Sequence, residues 1–293
     1  MAIKPEDFTL FQTLLKQRSG LVITPDKAYL LESRLMPVAR RWNLKGLDEV
    51  AAALRQRRDE KLARDITEAM TTNESSFFRD VKPFDQFRDV VLPEIMARRA
   101  NQRRIRIWSA ACSSGQEPYS LSMLLLENKA LVSGWTIEIV GTDLSSEILA
   151  KAKAGIYTQF EVQRGLPITH LVKYFSQNGD KWQISPEVRR MVTYREGNLL
   201  EDLGALGQFD IVFCRNVLIY FDQPTKAQVL DRISKVMPED GVLFLGGAET
   251  VLGITEKFKP MEGQRGIYRL SQGNGGNRAA PAVPTGYGLR RAG

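Results

Sequence analysis

The stretch that decides the fold reads IRIWSAACSSGQEP over residues 105–118. Its first four residues, three of them large and apolar, predict a short buried strand, and small residues fill the turn that follows, up to Gly115. A helix is predicted from about Pro118 onward. Ligands of open parallel sheets bind beyond the carboxyl ends of the strands, so this turn is a candidate binding site. It lacks the pattern G-x-G-x-x-G, which argues against a nicotinamide dinucleotide.

Further strands alternate with helices on the carboxyl side of this turn. Mostly apolar segments predict strands at 136–140, 191–194, 209–214 and 241–245, and residues 267–270 are expected to form a final edge strand. This alternation indicates a mostly parallel sheet that is covered on both faces. We therefore predict an α/β fold with a Rossmann-like domain.

The rest of the chain departs from this alternation. Residues 1–72 carry apolar positions at helical spacing without a strand signal, which predicts an all-α N-terminal domain. Residues 73–90 are interpreted as an interdomain segment and residues 91–270 as the sheet domain. Within that domain, Asn178-Gly179-Asp180 predicts a hairpin turn, so a small inserted antiparallel β subdomain is expected at about 160–190.

Composition narrows the class of protein. No apolar run approaches the ~20 residues of a membrane helix and the N-terminus has no apolar signal core, so we expect a cytoplasmic protein without direct membrane insertion. Cys112 and Cys214 have no metal-like spacing, and no metal site is expected. The tail 271–293 is rich in Gly, Ala and Pro and is predicted to be disordered. The net charge of +7 suggests an acidic partner, which could be nucleic acid, membrane or protein.

Polar residues follow several of the predicted strands. Asp143 ends the second strand, where a carboxylate can accept hydrogen bonds from both hydroxyls of a ribose. Asn198 follows a later strand, and Arg215 and Asn216 directly follow the most apolar one. Together with the small-residue turn, these positions describe a nucleoside site. Because the sequence offers no phosphate-binding loop, S-adenosylmethionine is favoured over ATP or NAD.

Four segments closely resemble motifs of the chemotaxis receptor methyltransferases, the CheR family. They are NESSFFRD at 73–80, SSGQEPYS at 113–120, GTD at 141–143 and RNVLIYF at 215–221. The resemblance extends from about residue 6 to 270. It implies methyl transfer from S-adenosylmethionine, with S-adenosylhomocysteine as product, to glutamate side chains on the cytoplasmic helices of chemoreceptors. The expected products are glutamyl methyl esters that serve chemotactic adaptation.

Carried over by position, the resemblance also implies which residues contact the cofactor. Ser75 stands where the family often has threonine, and it keeps the hydroxyl. Family members commonly have an acidic residue at the position of Gln116, so the cofactor contact is better placed on Glu117. The implied contacts are Asn73, Ser75, Arg79, Glu117, Asp143, Asn198, Leu199, Arg215 and Asn216.

The chemistry implied by the family agrees with the residues. A glutamate carboxylate is already ionised near neutral pH, so it needs no general base to attack a sulfonium methyl group. The single histidine, His170, lies in the inserted region and is expected to be a surface residue. Arg79 and Tyr220 are the predicted catalytic residues. Arg79 would hold a carboxylate in its guanidinium fork, and Tyr220 would orient the acceptor or pack against the methyl group.

A basic surface in the N-terminal domain is the predicted receptor-binding site. Lys27, Arg34 and Arg41 are seven residues apart and Lys45 four further on, so a continuous helix would align them, with Arg40 beside them. A proline at position 37 could interrupt that helix. A face with no partner is the alternative. The predicted hairpin is short, so we expect no need for a tether at the receptor C-terminus.

Two other functions remain open from the residues alone. A methyltransferase that acts on nucleic acid would suit the basic charge, but Asn216 is followed by Val217-Leu218, not by the two prolines and aromatic residue of amino-directed DNA enzymes. A non-catalytic module that senses S-adenosylmethionine would bind cofactor and receptor without turnover. The resemblance favours the receptor enzyme, with no nucleic-acid partner, and we expect a monomer.

Overall fold

The computed structural model describes residues 3–57 and 59–271, so the tail after Ser271 that was predicted to be disordered lies outside the described residues. Its N-terminal domain is all-α, as predicted. Phe11, Leu35 and Ile66 lie at the centre of its apolar core and are fully buried. The helices of this domain are α1 Pro5–Ser19, α2 Ala28–Arg41, α3 Leu47–Arg57 and α4 Glu60–Met70.

Local signals explain where these helices begin and end. Pro5 lies in the first turn of α1, and Gly20 ends the helix with a φ of 75°, a left-handed conformation that favours glycine. Asp59 caps α4 by accepting two hydrogen bonds from backbone N–H groups. Pro37 lies inside α2, and the helix continues through it. Lys45 was expected to lie on the same helix face as Arg34 and Arg41. It does not, because α2 ends at Arg41 and Lys45 lies beyond the helix.

The second domain is a doubly covered sheet. Five parallel strands form most of this sheet, and two antiparallel strands extend it at one end. With the strands numbered along the chain, their order in the sheet is β6-β2-β1-β7-β8-β10-β9. A separate small sheet has the order β3-β5-β4. In the described residues the strands are β1 Arg104–Ala110, β2 Thr136–Asp143, β3 Ile156–Thr158, β4 Phe175–Asn178, β5 Lys181–Ile184, β6 Val192–Glu196, β7 Ile211–Cys214, β8 Val242–Leu245, β9 Phe258–Pro260 and β10 Ile267–Leu270.

The prediction that residues 267–270 form the edge of the sheet was wrong. β10 pairs antiparallel with β8 on one side and with β9 on the other, so β9 is the edge strand. β9 has only three residues, too few for an alternating pattern to be visible in the sequence.

Apolar side chains cover both faces of the large sheet. Along β7, Ile211 and Phe213 pack into one core cluster, while Val212 and Cys214 pack into another on the opposite face. A π-helical turn, Phe87–Val91, joins the first two helices of this domain. The helices are α5 Lys82–Gln86, α6 Leu92–Arg98, α7 Gln116–Glu127, α8 Lys129–Val132, α9 Ser146–Ala154, α10 Gln159–Gln163, α11 Ile168–Tyr174, α12 Pro186–Arg189 and α13 Gln223–Lys235.

The inserted β subdomain is present and larger than predicted. Its first strand, β3, precedes residue 160, and α10 and α11 lie between β3 and β4. The hairpin between β4 and β5 turns at Gly179, as predicted. Gly165 lies against the segment between the domains: its φ is 85°, and a Cβ there would overlap the carbonyl oxygen of Phe77. Only glycine fits this contact.

The two domains meet along the end of α1. The backbone carbonyl of Arg18 accepts a hydrogen bond from the side-chain amide of Asn198, at 2.7 Å. Val22 donates its backbone N–H to the carbonyl of Tyr220, at 3.1 Å. The end of α1 therefore closes one side of the region beyond the strand ends.

Candidate functional site

A single cleft collects the predicted cofactor and catalytic residues. It opens beyond the carboxyl ends of β1, β2, β6 and β7 and encloses about 1010 Å³, including the part that is open to solvent. The segment after α4 and the end of α1 form its other wall. All ten predicted cofactor and catalytic residues line it: Asn73, Ser75, Arg79, Glu117, Asp143, Asn198, Leu199, Arg215, Asn216 and Tyr220.

Asp143 is held at the end of β2 by backbone donors. Its two carboxylate oxygens accept hydrogen bonds from the N–H groups of Ser113, at 2.8 Å, and Ser145, at 3.0 Å. The residue is only 6% exposed, and burial raises the pKa of its carboxyl although these N–H donors oppose the shift. Each oxygen keeps a lone pair, so the group can accept further hydrogen bonds from a ligand's hydroxyls.

The turn after β1 requires glycine because an aromatic ring packs behind it. Gly115 has a φ of 90°, and a Cβ there would lie 2.5 Å from the hydroxyl oxygen of Tyr194. Gly141 in β2 contacts the same ring, and a Cβ there would lie 2.9 Å from it. The backbone of the turn therefore passes close beneath the cleft, as its small residues predicted.

Arg215 forms ion pairs both with the sheet domain and with the segment between the domains. Its side chain is 1% exposed and pairs with Glu117 at 3.0 Å and with Asp80 at 2.7 Å. It also donates to the carbonyl oxygen of Arg79, at 2.9 Å. Glu117 in turn accepts a hydrogen bond from the Ser109 hydroxyl. Because both terminal nitrogens of Arg215 bind protein groups, its main effect is to fix Glu117 and the backbone beside Arg79.

Arg79 lies in a strained segment of backbone. Phe78, Asp80 and Val81 all have φ between 48° and 69°, which non-glycine residues rarely adopt. The half-buried Arg79 side chain donates one hydrogen bond to the carbonyl of Glu74, at 3.1 Å, and lines the cleft. Such conformations persist where the surrounding contacts impose them, and they often occur at functional sites.

Two asparagines of the cleft also have structural contacts. The Asn198 side chain donates to Arg18 and accepts from the Leu200 N–H, which leaves one amide hydrogen and one lone pair available. The Asn73 carbonyl accepts a hydrogen bond from the Ser113 hydroxyl, at 3.0 Å, so the two walls of the cleft are joined there. The sequence interpretation gave Ser113 no such role.

Sequence reasoning also missed Glu249. This residue follows β8 and is 8% exposed, and its carboxylate accepts hydrogen bonds from the backbone of the Arg215–Tyr220 turn. The only signal was an acidic residue after the small Gly246-Gly247-Ala248 run that ends a buried strand.

His170 was expected to be a surface residue, but it does not lie at the open surface. It is half-buried in α11 and packs edge-on against Phe78, with ring centroids 5.2 Å apart. Burial lowers the pKa of its imidazole. It does not line the cleft.

The predicted receptor-binding residues lie outside the cleft. Lys27, Arg40 and Arg41 are exposed at or near α2. Arg34 differs: it donates to the carbonyls of Met70 and Thr71, at 2.7 and 3.1 Å, and so supports the segment that leads to Asn73. These hydrogen bonds give Arg34 a structural role.

The fold and the cleft together define the class of protein. The cleft offers carboxylates for hydroxyl and ammonium groups, guanidinium groups for a carboxylate, and several amides. It has no glycine-rich phosphate loop at the start of α7. These groups fit a nucleoside joined to an amino acid, and a Rossmann-like domain with such a cleft is an S-adenosylmethionine-dependent methyltransferase.

Comparison with known proteins gives the particular family. Residues 6–71 match the family model described as CheR methyltransferase, all-alpha domain, and residues 73–267 match CheR methyltransferase, SAM binding domain. The chain belongs to the CheR methyltransferase family. In the described residues, no helix has the length and apolar character that crossing a membrane requires.

Its relatives include three named chemotaxis proteins. Chemotaxis protein methyltransferase 1 of Pseudomonas aeruginosa is 40% identical over 92% of this chain and 99% of its own length. Chemotaxis protein methyltransferase of Vibrio anguillarum is 38% identical over 92% of this chain and 98% of its own. Chemotaxis protein methyltransferase Cher2 of Pseudomonas putida is 38% identical over 89% and 96%. The matched region thus spans nearly the full length of each relative.

Proposed function

We propose that the protein transfers the methyl group of S-adenosylmethionine to glutamate side chains on the cytoplasmic helices of chemoreceptors, giving glutamyl methyl esters in chemotactic adaptation. One observation carries the proposal: the cofactor contacts that the CheR resemblance implies and the predicted catalytic residues all lie around a single cleft. The names of the relatives, which are chemotaxis methyltransferases, support the receptor as substrate.

The groups around the cleft favour an acceptor that is already charged. Cys112 lines the cleft, but burial raises the pKa of its thiol well above the usual value, so it stays protonated near neutral pH. His170, the only histidine of the sequence, lies elsewhere. A glutamate carboxylate brings its own negative charge and needs no base. The protein's task is then to orient the carboxylate for in-line attack and to balance charge.

The cofactor would be held by groups on both walls of the cleft. Asp143 would accept hydrogen bonds from the ribose hydroxyls, and Glu117 would face the ammonium group of the amino-acid portion. When bound, S-adenosylmethionine supplies an electrophilic methyl group on its sulfonium. Arg79 would bind a carboxylate with its fork, and Tyr220 would orient the acceptor carboxylate against the methyl carbon.

Exposed cations of the N-terminal domain would bind the acidic receptor helices. Exchanging Lys27, Arg40 and Arg41 for glutamate should raise KM for the receptor by roughly tenfold or more, because like charges then oppose the partner. The affinity for S-adenosylhomocysteine should not change, because none of the three residues lines the cleft. Arg34 is left intact in this variant because it supports the segment before Asn73. Steady-state methylation and calorimetric titration give the two quantities.

A matched variant tests whether position or total charge matters. Exchanging Arg103, Lys235 and Lys259 for glutamate makes the same change of charge at exposed positions of the sheet domain, which the proposal leaves away from the receptor. This control should keep the wild-type KM. An equal rise of KM in both variants would show that only long-range charge matters and would remove α2 from the proposed interface.

The function is tested by incubating the protein with methyl-labelled S-adenosylmethionine and chemoreceptor-containing membranes. Alkali then hydrolyses carboxyl esters, and the volatile methanol is collected. Label recovered as methanol is the expected result, because methylated amines and bases do not release methanol in alkali. If no label is transferred although calorimetry shows cofactor binding, the protein is a sensor of S-adenosylmethionine and the proposed reaction is wrong.

The proposal also places the protein in the cytoplasm as a monomer, where the receptor helices are accessible to it. It includes no nucleic-acid partner and no need for a receptor C-terminal tether. The same assay on receptors with and without their C-terminal segment tests the last point.

A further inference from the structure

Glu249 occupies an unusual environment for a buried acid. Its Oε1 atom accepts hydrogen bonds from the backbone N–H groups of Val217, Leu218 and Ile219, at 2.9, 2.7 and 3.3 Å. Its Oε2 atom accepts from Asn216, at 2.8 Å, and Gly246, at 2.6 Å. No lysine or arginine of the described residues forms an ion pair with it. Five N–H dipoles therefore balance its charge.

Four of these donors belong to the turn that carries the cleft residues Asn216, Val217 and Tyr220. Asn216 has a φ of 59°, and residues Leu218–Tyr220 form a single 3-10 turn, so neither part is held by a long helix or by a strand ladder. The N–H groups of four consecutive residues converge on one carboxylate. A buried N–H group without an acceptor is costly, so removing the carboxylate would release this backbone conformation.

Gly246 leaves the space that this arrangement needs. A Cβ at residue 246 would lie 2.7 Å from Oε2 of Glu249 and 2.8 Å from the side-chain nitrogen of Asn216. The backbone N–H of Glu249 also donates to the carbonyl of Gly246, at 2.9 Å. The acid and the glycine thus form a compact support directly behind the turn.

We propose that Glu249 is a positioning residue for methyl transfer: its carboxylate fixes the backbone of residues 216–219 so that Asn216 and Tyr220 face the cleft in the orientation the reaction needs. The part that concerns Tyr220 rests on the proposed function. Glu249 itself does not line the cleft, so its effect on the reaction would pass through the turn.

The first test is Glu249→Gln, which keeps the shape but places an amide donor against N–H donors. Hydrogen exchange of the amides of residues 216–219 should become at least about tenfold faster, because their acceptor is weakened. The affinity for S-adenosylhomocysteine should fall by roughly three- to tenfold through Asn216. Glu138→Gln is the matched control: Glu138 is a half-buried acid paired with Arg106, far from the turn, and its loss should leave both quantities unchanged. Unchanged exchange at residues 216–219 in Glu249→Gln would overturn the proposal.

A double-mutant cycle separates positioning from general destabilisation. Glu249→Gln should lower kcat by about tenfold or more in the wild-type background but by much less in a Tyr220→Phe background, since both changes act on the same group. Equal factors in the two backgrounds would contradict action through Tyr220. If Glu249→Gln does not fold, Glu249→Asp retains the charge with a shorter reach and should show the same pattern more weakly. Binding and exchange need no receptor, so they decide the role of Glu249 even if receptor methylation itself is not observed.

Discussion

Replacing Arg79 with alanine should lower kcat for receptor methylation by about 10²–10³-fold, the usual cost of removing a charged donor from a reacting centre. Arg79 is a half-buried cation that lines the cleft, and its backbone carbonyl is held by Arg215 at 2.9 Å. Truncation of the side chain leaves that carbonyl in place. The loss should therefore appear in turnover while the melting temperature stays close to that of the wild type.

Two comparisons sharpen this result. Arg79→Lys keeps the charge and loses the planar fork, so it should recover only part of the activity. Lys82→Ala removes an exposed cation three residues away and should change neither turnover nor cofactor affinity. Calorimetry with S-adenosylhomocysteine shows whether Arg79 binds the cofactor's carboxylate or the acceptor's. If Arg79→Ala retains both affinity and turnover, Arg79 has neither role.

Asp143→Ala should weaken S-adenosylhomocysteine binding by roughly 10²-fold, because two hydrogen bonds to a charged acceptor contribute about 1.5–3 kcal/mol each before the protein relaxes. Asp143→Asn retains one acceptor oxygen and should lose less. Both changes leave the N–H groups of Ser113 and Ser145 with poorer partners, so binding is best measured alongside the melting temperature. Wild-type affinity in Asp143→Ala would exclude a ribose contact.

The raised pKa of Asp143 also predicts how binding depends on pH. Protonation removes an acceptor, so the affinity for S-adenosylhomocysteine should fall on acidification and should begin to fall at a higher pH than an ordinary aspartate would give. The stability effect has the opposite sign. A carboxyl whose pKa is higher in the folded state contributes stability that is lost as pH rises through that pKa. Titrations from neutral pH downward should show the acid loss of affinity in the wild type and a smaller one in Asp143→Asn.

The sequence could place several candidate site residues near one another because strand ends are locally encoded. A buried apolar run followed at once by Asp143 or by Arg215-Asn216 places those residues at one edge of a parallel sheet, whatever the details of packing. The CheR motifs added the contribution of Asn73, Ser75 and Arg79, which no periodicity indicates. The structure brings these residues together with the others around one cleft.

What the sequence could not predict depends on contacts between distant parts of the chain. Glu249 meets backbone groups about thirty residues away, and backbone donors have no residue type that a motif could display. Arg34 was interpreted by its charge and spacing, yet its guanidinium binds carbonyls at the end of α4. β9 was invisible because its pairing, not its composition, makes it a strand. Local sequence patterns predicted where helices and strands lie, whereas only the tertiary contacts show what these side chains bind.

The contact beneath Phe77 limits how the inserted subdomain can diverge. Any side chain at residue 165 would displace the carbonyl of Phe77, which directly precedes the strained backbone that begins at Phe78. The exposed positions of the insertion are under no such restriction. In homologous chains with the same arrangement, we expect the insertion to drift in length and composition while this single glycine is retained. A lineage that lost the glycine would have to rebuild the segment leading to Arg79 as well.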